Sequence, residues 1–231
     1  MSGSGQPYRP SGAAAADPPS GPRFRVGVLV SGEGTNLQAI LDAVHGREGT
    51  EVACVGSSRP EARGLERARA AGVEAVAFPA SEHADRSARD AVLADWLEAR
   101  SVDLVVLAGF MELLSSAFIR RFPRRIVNVH PALLPSFPGL RAIERAIEHG
   151  VKVTGVTVHF VDEGVDSGPI ILQRPIELAY PADIEQVERT MHEVEHELLP
   201  EAVRLIARGA VRIDPPGSRT VTIGGDASVH R

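Results

Sequence analysis

Short apolar runs of strand length recur along this chain and alternate with segments of helical periodicity. Four such runs lie in the first half, at residues 24–31 (FRVGVLVS), 51–57, 73–78 and 102–108 (VDLVVLA). The segments between them carry apolar residues at helical spacing and predict helices at residues 35–45, 61–71 and 85–100, the last with Val92, Leu93, Trp96 and Leu97 facing inward. Strands alternating with helices predict an α/β fold with a doubly wound, mostly parallel sheet.

The second half of the chain adds a different strand pattern to this sheet. A helix at residues 114–122, a fifth strand at 125–129 and a helix at 140–149 continue the alternation. Residues 153–161 alternate more visibly and are followed, after a turn at 166–168, by a run at 169–177, which predicts an antiparallel addition near the C-terminal half. A long helix at residues 183–208 follows, in which Pro200 favours a break, and residues 219–223 have the pattern of a short edge strand.

Length and composition indicate one compact domain and exclude several classes of partner. With 231 residues and 43% hydrophobic content, a domain at residues 23–213 is expected, between a Gly-, Ser- and Pro-rich extension (1–22) predicted to be disordered and a C-terminal tail (214–231). A net charge of -5 argues against nucleic acid as a partner, and no apolar run is long enough to span a membrane. The single cysteine excludes an internal disulfide, and no secretory signal is recognisable, so the cytoplasm is predicted.

Three polar residues stand out between residues 126 and 166. Asn128 and His130 are two positions apart in the apolar run 126–130, so on a strand their side chains face the same side, where Pro131 ends the ladder. Together with Asp166, they would supply an amide for an oxyanion, an imidazole for proton transfer and a carboxylate that acts on the imidazole. This set suits acyl transfer to an amine that attacks directly. The alternative is a capped strand end, with Asp166 serving a local turn.

The loop at residues 31–37 (SGEGTNL) joins the first strand to the first helix. Its glycines and the helix N-terminus favour an anion such as phosphate. Leu37 stands where a dinucleotide fingerprint needs its third glycine, and the lysine of a P-loop is missing. The alternative is a tight turn in which Thr35 or Asn36 caps the helix.

Five blocks of this sequence, in order, resemble the folate-dependent phosphoribosylglycinamide formyltransferases of purine synthesis. The blocks are SGEGTNLQAILDA (31–43), GLERARAAGV (64–73), VLAGFMELLS (106–115), NVHPALLPSFPGL (128–140) and VTVHFVDEGVDSGPIILQ (156–173). The resemblance covers residues 25–213 and implies a Rossmann-like formyltransferase fold. It also implies transfer of a formyl group from 10-formyltetrahydrofolate, as co-substrate, to the amine of glycinamide ribonucleotide, without a metal, and is compatible with a homodimer.

The resemblance assigns roles to residues in three groups. In the catalytic group, His130 is the acid, Asn128 polarises the carbonyl and Asp166 favours the protonated form of the histidine. The ribonucleotide-binding group comprises Gly34, Thr35, Asn36, His192, Glu193, Val194 and Glu195, with Glu195 holding the ribose hydroxyls. The folate-binding group comprises Arg86, Met111, Glu112, Leu113, Leu114, Asn128, Asp162, Glu163, Gly164, Val165 and Asp166.

Some points remain open at this stage. Glu112 stands where relatives often carry a basic residue, which changes how the folate is held only if the side chain makes the contact. His159 either supports the site or is a structural histidine. The competing functions are a formyltetrahydrofolate hydrolase, which would have an N-terminal regulatory domain; a formyltransferase for initiator tRNA, which would have a C-terminal domain and a basic face; and a non-enzymatic nucleotide-binding module.

Overall fold

A twisted sheet with helices on both faces forms the body of the computed structural model, which describes residues 23–213 and 218–224. Its strands are β1 (Phe24–Val30), β2 (Thr50–Ser57), β3 (Glu74–Ala77), β4 (Leu104–Leu107), β5 (Ile126–His130), β6 (Val153–Phe160) and β7 (Ile170–Glu177). The helices are α1 (Thr35–Ala43), α2 (Arg63–Ala70), α3 (Arg86–Glu98), α4 (Ser116–Arg121), α5 (Ala142–Glu148) and α6 (Ile184–Ala207), and a short 3-10 turn occupies Ala80–Glu82.

The strand order in the described part of the sheet is β3-β2-β1-β4-β5-β6-β7. All pairs from β3 to β5 are parallel, whereas β6 pairs antiparallel with both β5 and β7. The prediction of a doubly wound, mostly parallel sheet with an antiparallel addition is therefore confirmed. The strand order reverses between β1 and β4, because the chain runs from β1 outward to β3 and then returns to place β4 on the other side of β1. The carboxyl ends of β1 and β4 therefore flank a crevice of the kind in which open α/β sheets bind ligands.

Two apolar cores separate the sheet from its helices. One core joins β1, β2 and β5 to α1, α2 and α6, through residues such as Val28, Ile40 and Leu199. The other joins the opposite face of the sheet to α3 and α4, through residues such as Leu29, Leu97 and Phe118. Ile126 belongs to the second core and Val127 to the first, so Asn128 and His130 share the face covered by α3 and α4.

Helix details differ from the sequence predictions at three places. Val92 was predicted to face inward, but it is 46% exposed, because the buried stripe of α3 runs through Arg89, Asp90, Leu93, Ala94 and Leu97 and leaves Val92 outside it. The break near Pro200 is wrong, because α6 continues through Pro200, which is buried in the helix's apolar face. The N-cap residue of α1 is Gly34, which has no side chain to cap the helix, so neither Thr35 nor Asn36 is the cap.

The C-terminal part of the described chain forms a small separate hairpin. Strand β8 (Val211–Ile213) pairs antiparallel with β9 (Val221–Ile223), which lies within the stretch predicted as an edge strand. The predicted disordered extension at residues 1–22 lies outside the described residues, as do residues 214–217 and 225–231 of the predicted tail. None of the helices in the described part combines the length and apolar character needed to cross a bilayer.

Candidate active site

Asn128, His130 and Asp166 meet at the carboxyl end of β5. His130 Nδ1 lies 3.3 Å from Asp166 Oδ2, and Asn128 Nδ2 donates a hydrogen bond of 3.4 Å to Asp166 Oδ1. His130 is 5% exposed and the Asp166 side chain 13%, so the contacts are made in a largely desolvated place. Residues that are 38 positions apart in the chain therefore converge as the sequence predicted.

The loop after β6 folds back to bring Asp166 to β5. Asp166 adopts a left-handed backbone with φ 48, a conformation that aspartate tolerates better than most residues. Gly168 makes the return to β7 possible, because a Cβ there would lie 1.8 Å from the Phe160 carbonyl oxygen. The Gly139 N–H donates to Asp166 Oδ2 at 2.7 Å, which fixes the carboxylate oxygen that also faces His130.

His159 is a fourth member of this cluster that sequence analysis left undecided. It pairs directly with Asn128 across the antiparallel β5–β6 ladder, so the two side chains share one face. Its Nε2 lies 3.6 Å from Asp166 Oδ1 and 3.4 Å from Asn128 Nδ2, and its Nδ1 donates to the Phe160 carbonyl at 2.9 Å. The histidine is 2% exposed. Only the strand register, which the sequence did not reveal, distinguishes it from a structural core histidine.

The surroundings keep Asp166 ionised. Burial raises the pKa of its carboxyl, but the nearby His159 ring, the hydrogen bond from the Gly139 N–H and the charges of His130 and His159 outweigh it. The pKa falls from its ordinary 3.8 to about 2. The carboxylate is therefore a fixed negative charge beside two imidazoles at any pH near neutrality.

Both ring nitrogens of His130 face acceptor oxygens. Nε2 donates to the Phe137 carbonyl at 2.9 Å, while Nδ1 faces the ionised carboxylate of Asp166. An imidazolium carries an N–H at both positions and satisfies both contacts at once. The arrangement thus suits a histidine that gives up a proton to a developing negative charge.

A second polar cluster joins α1 to α6. Asn36 Nδ2 donates to Glu195 Oε2 at 2.8 Å, and His192 Nδ1 donates to the same oxygen at 3.2 Å. Asn36 is 7% exposed and Glu195 5% exposed. Gly34 precedes this cluster with φ 71, and a Cβ there would lie 2.6 Å from the Gly64 Cα, so only glycine fits the turn.

This cluster contains polar atoms that are buried without a partner. Among the described residues, three buried side-chain atoms lack a hydrogen bond, and two of them, Asn36 Oδ1 and His196 Nε2, are here; the third is Thr154 Oγ1. The Glu195 hydrogen bond raises the pKa of His192, and burial followed by the His192 charge lowers the pKa of His196. Buried polar groups are normally satisfied, so this cluster has spare capacity for a ligand.

Other members of the predicted ribonucleotide group have different surroundings. Thr35 and Glu193 are exposed, and Val194 packs against the core on the α6 side of the sheet. The side chains of Glu193 and Val194 are therefore not part of the Asn36–Glu195 cluster, although their backbone adjoins it. Helical periodicity explains this difference, because residues 192, 195 and 196 lie on one face of the helix, whereas residues 193 and 194 point away from that face.

The residues predicted to bind folate lie in two segments, one after β4 and one after β6, and at the start of α3. On the β4 side, Met111 and Leu113 are 68% and 61% exposed, whereas Glu112 is turned towards Arg89 and Leu114 packs on the core of α3 and α4. Arg86 is exposed in the first turn of α3.

On the opposite side lies the loop that carries Asp166. Asp162 Oδ1 accepts hydrogen bonds from the Gly164 N–H and from Ser167, so its carboxylate shapes the loop. Glu163 points outward to Arg120 at 3.2 Å, and Val165 is 53% exposed. The loop thus exposes one apolar side chain, that of Val165.

A cavity of about 160 Å³ adjoins the Asp166 loop, and sequence analysis did not predict it. It is lined by Leu134, Pro135, Pro138, Val165, Asp166, Ser167, Gly168, Ile170 and Arg219. Arg219, just before β9, donates a hydrogen bond to the carbonyl oxygen of Ser167, the residue after Asp166. The C-terminal hairpin therefore contacts the loop that holds the carboxylate.

Comparison with known proteins places the chain in a family. The formyl transferase family model matches residues 24–203. The chain is 40% identical to the phosphoribosylglycinamide formyltransferase of Haemophilus influenzae, with 82% of this chain and 90% of that protein covered. It is 42% identical to the trifunctional purine biosynthetic protein adenosine-3 of Drosophila melanogaster, of which it spans 14%, with 84% of this chain covered.

A solved structure has the same fold. Glycinamide ribonucleotide transformylase 1 of Symbiobacterium toebii superposes with a TM-score of 0.84 at 50% sequence identity, covering 89% of this chain and 96% of that one. The likeness in sequence and in structure extends over the body of the chain described above. The chain therefore belongs to the formyl transferase family, and within it to the phosphoribosylglycinamide formyltransferases.

Proposed function

We propose that the protein transfers the formyl group of 10-formyltetrahydrofolate to the amine of N1-(5-phospho-D-ribosyl)glycinamide, a step of purine synthesis. The products are formylglycinamide ribonucleotide and tetrahydrofolate. Family membership supports the reaction, and the meeting of Asn128, His130 and Asp166 at the end of β5 is the observation that carries it.

The amine attacks the formyl carbon directly. A C–N bond forms as the carbonyl becomes a tetrahedral oxyanion, and the bond from that carbon to N10 of the folate then breaks. His130 gives its imidazolium proton to N10, and the proton that leaves the attacking amine returns to the ring. Asn128 donates from its amide to the oxyanion, and His130 supplies a proton from its imidazolium.

Asp166 acts on His130 and not on the substrate carbon. Its ionised carboxylate lies 3.3 Å from Nδ1 and stabilises the positive ring until the proton moves. We infer that the substrate carbonyl oxygen takes the position of the Phe137 oxygen, which now accepts from Nε2 at 2.9 Å. His159 holds the other oxygen of the same carboxylate and keeps it oriented.

The ribonucleotide binds beside the cluster of Asn36, His192 and Glu195. The turn at Gly34 and the N-terminus of α1 favour the phosphate, and the buried Glu195 carboxylate accepts hydrogen bonds from ribose hydroxyls. The unpartnered Asn36 Oδ1 supports this assignment, because a ligand donor would satisfy it. Met111, Leu113 and Val165 face the folate rings, and Arg86 faces the anionic glutamate tail.

An absorbance assay for tetrahydrofolate release tests the function. The protein is incubated with 10-formyltetrahydrofolate, with and without the ribonucleotide. Release that requires the amine supports transfer, and formylated ribonucleotide should appear in equal amount. Equal release without the amine would instead identify a formyltetrahydrofolate hydrolase, and no release with either would reject both activities.

Several further features belong to the same proposal. No metal takes part in the reaction as written, and the partners are the two small substrates, with neither nucleic acid nor membrane involved. We also propose residues 23–213 as the catalytic domain, a cytoplasmic location and a homodimer. Gel filtration with light scattering tests the last of these.

A further inference from the structure

The segment after β4, residues 109–115, is fixed at its start by a buried serine. The Ser31 N–H donates to the Gly109 carbonyl at 3.1 Å, and the Ser31 hydroxyl accepts from the Met111 N–H at 2.9 Å. Ser31 is 3% exposed, and its hydroxyl also contacts the Ser58 hydroxyl at 2.7 Å. The carboxyl end of β1 therefore determines where this segment leaves β4.

A buried arginine fixes the middle of the same segment. Arg89 of α3 is 1% exposed; its Nε and Nη2 donate to Asp90 Oδ1 at 3.0 and 2.7 Å, and its Nη1 pairs with the Glu112 carboxylate. The other Asp90 oxygen accepts from the Ser115 N–H at 2.6 Å, at the end of the segment. The guanidinium carbon lies 5.8 Å from the centre of the Phe110 ring.

The charges explain why this network is rigid. A guanidinium is a planar fork that can bind two carboxylates at once, and a buried charge that loses a partner is strongly destabilised. Asp90 is 1% exposed and cannot move away, while the Glu112 side chain is 35% exposed and completes the set from the segment's side. Glu112 is therefore held inward.

The direction of Glu112 determines the direction of its neighbours. Exposure alternates along residues 111–114: Glu112 and Leu114 are partly buried, whereas Met111 and Leu113 lie on the outer side of the segment. Their side chains are 68% and 61% exposed at the edge of the crevice. Two large apolar side chains are thus displayed on a backbone that four contacts hold in place.

We propose that Arg89, acting through Glu112, is a positioning residue that holds Met111 and Leu113 against the flat, largely apolar ring system of the formyl donor. This inference rests on the proposed function and names the device that prepares the donor side of the site. Because Arg89 is occupied by protein carboxylates, it does not touch the donor itself. Glu112 likewise contributes through the position of its backbone.

The pair is tested by comparing the steady-state constants of four single variants and one double variant, Arg89→Lys/Glu112→Gln. Glu112→Gln removes the negative charge that pairs with Arg89, and Glu112→Arg places a second cation beside Arg89. Arg89→Lys keeps the positive charge but loses the planar guanidinium that binds both carboxylates. Glu98→Gln is the matched control, because Glu98 lies on the same helix as Arg89 and its carboxylate forms only a surface ion pair, with Arg121 of α4. KM for each substrate, kcat and the melting temperature are measured for all of them.

Loss of positioning should raise KM for the formyl donor only. In Glu112→Gln, that KM rises about tenfold, which is the effect of one charge-assisted hydrogen bond, and in Glu112→Arg it rises further. KM for the ribonucleotide and kcat at saturating donor stay within about twofold, and Glu98→Gln matches the wild type. In Arg89→Lys/Glu112→Gln, the two effects do not multiply, because they act through one contact.

A donor KM that is unchanged in both Glu112 variants would overturn the proposal, as would multiplying effects in the double variant. If Arg89→Lys does not fold, the two Glu112 variants still decide. Should the wild type transfer no formyl group at all, the proposed function fails separately. In that case, titration of the wild type and of the same variants with 10-formylfolate measures binding and tests the positioning role alone.

Discussion

Two nearly buried carboxylates, Asp166 and Glu195, both lie beside histidines, but their surroundings differ. Asp166 lies on a loop with a left-handed backbone, and both of its oxygens are engaged by protein groups. Glu195 lies on the long helix α6, and the hydrogen bonds from Asn36 and His192 converge on one oxygen, Oε2. The first carboxylate is saturated, whereas the second stands beside an unpartnered Asn36 oxygen.

This difference indicates different tasks. A saturated carboxylate with a lowered pKa is suited to hold a charge on its histidine while bonds change elsewhere. A rigid carboxylate with unused hydrogen-bonding capacity around it is suited to receive a ligand. Substitutions in the Asp166 cluster should therefore lower kcat, and substitutions in the Glu195 cluster should raise KM for the ribonucleotide.

The largest effect is expected for His130→Ala. Because this change removes the proton donor beside Asp166, kcat should fall by about 10²–10⁴-fold, the usual range for a general acid. KM for the ribonucleotide should change by less than about threefold, since the Glu195 cluster is intact. Steady-state kinetics checks both values, and turnover near that of the wild type would remove His130 from the mechanism.

Asp166→Asn should lower kcat by about 10–100-fold and move the basic limb of the rate profile to lower pH, because the imidazolium loses its carboxylate partner. In the wild type, the lowered pKa of Asp166 stabilises the folded state at pH values above the ordinary pKa of 3.8, and this contribution is lost as the pH falls towards about 2. Rate profiles at pH 5–9 and melting curves at pH 2–5 measure the two effects. An unchanged basic limb would refute the charge-holding role.

Glu195→Gln should raise KM for the ribonucleotide about tenfold with little change in kcat, because the new amide faces the donors of Asn36 and His192. Glu185→Gln, at the exposed start of the same helix, is the control and should behave as the wild type. A large loss of kcat at unchanged KM in Glu195→Gln would contradict the division between the two clusters.

The smallest effect is expected for Arg219→Ala. The substitution removes the hydrogen bond to the Ser167 carbonyl, which steadies the Asp166 loop from the C-terminal hairpin. Because Asp166 keeps its contacts with His130, His159 and Gly139, kcat should fall by only about twofold, as for an exposed hydrogen bond. Arg212→Ala, on the exposed side of β8, is the control; identical rates in both variants would show that the hairpin is not needed for the loop.

Local patterns in the sequence were sufficient for most of the fold. Apolar runs and helical spacings gave the order of strands and helices because both depend on the period of the backbone. The same period placed Asn128 and His130 on one face. Helical spacing was wrong for Val92, and the expectation that Pro200 breaks its helix was also wrong. At both positions, the packing of the whole helix outweighs the local pattern.

Only the tertiary structure decided the contacts between distant parts of the chain. Asn36 and Glu195 are 159 residues apart, and only the packing of α1 on α6 brings them together. His159 joins Asp166 through the register of β5 and β6, and Arg89 is buried where its position near a helix start suggests an exposed charge. A sequence determines which way each side chain points on its own element, because that follows from short-range geometry; which element it meets depends on how all elements pack.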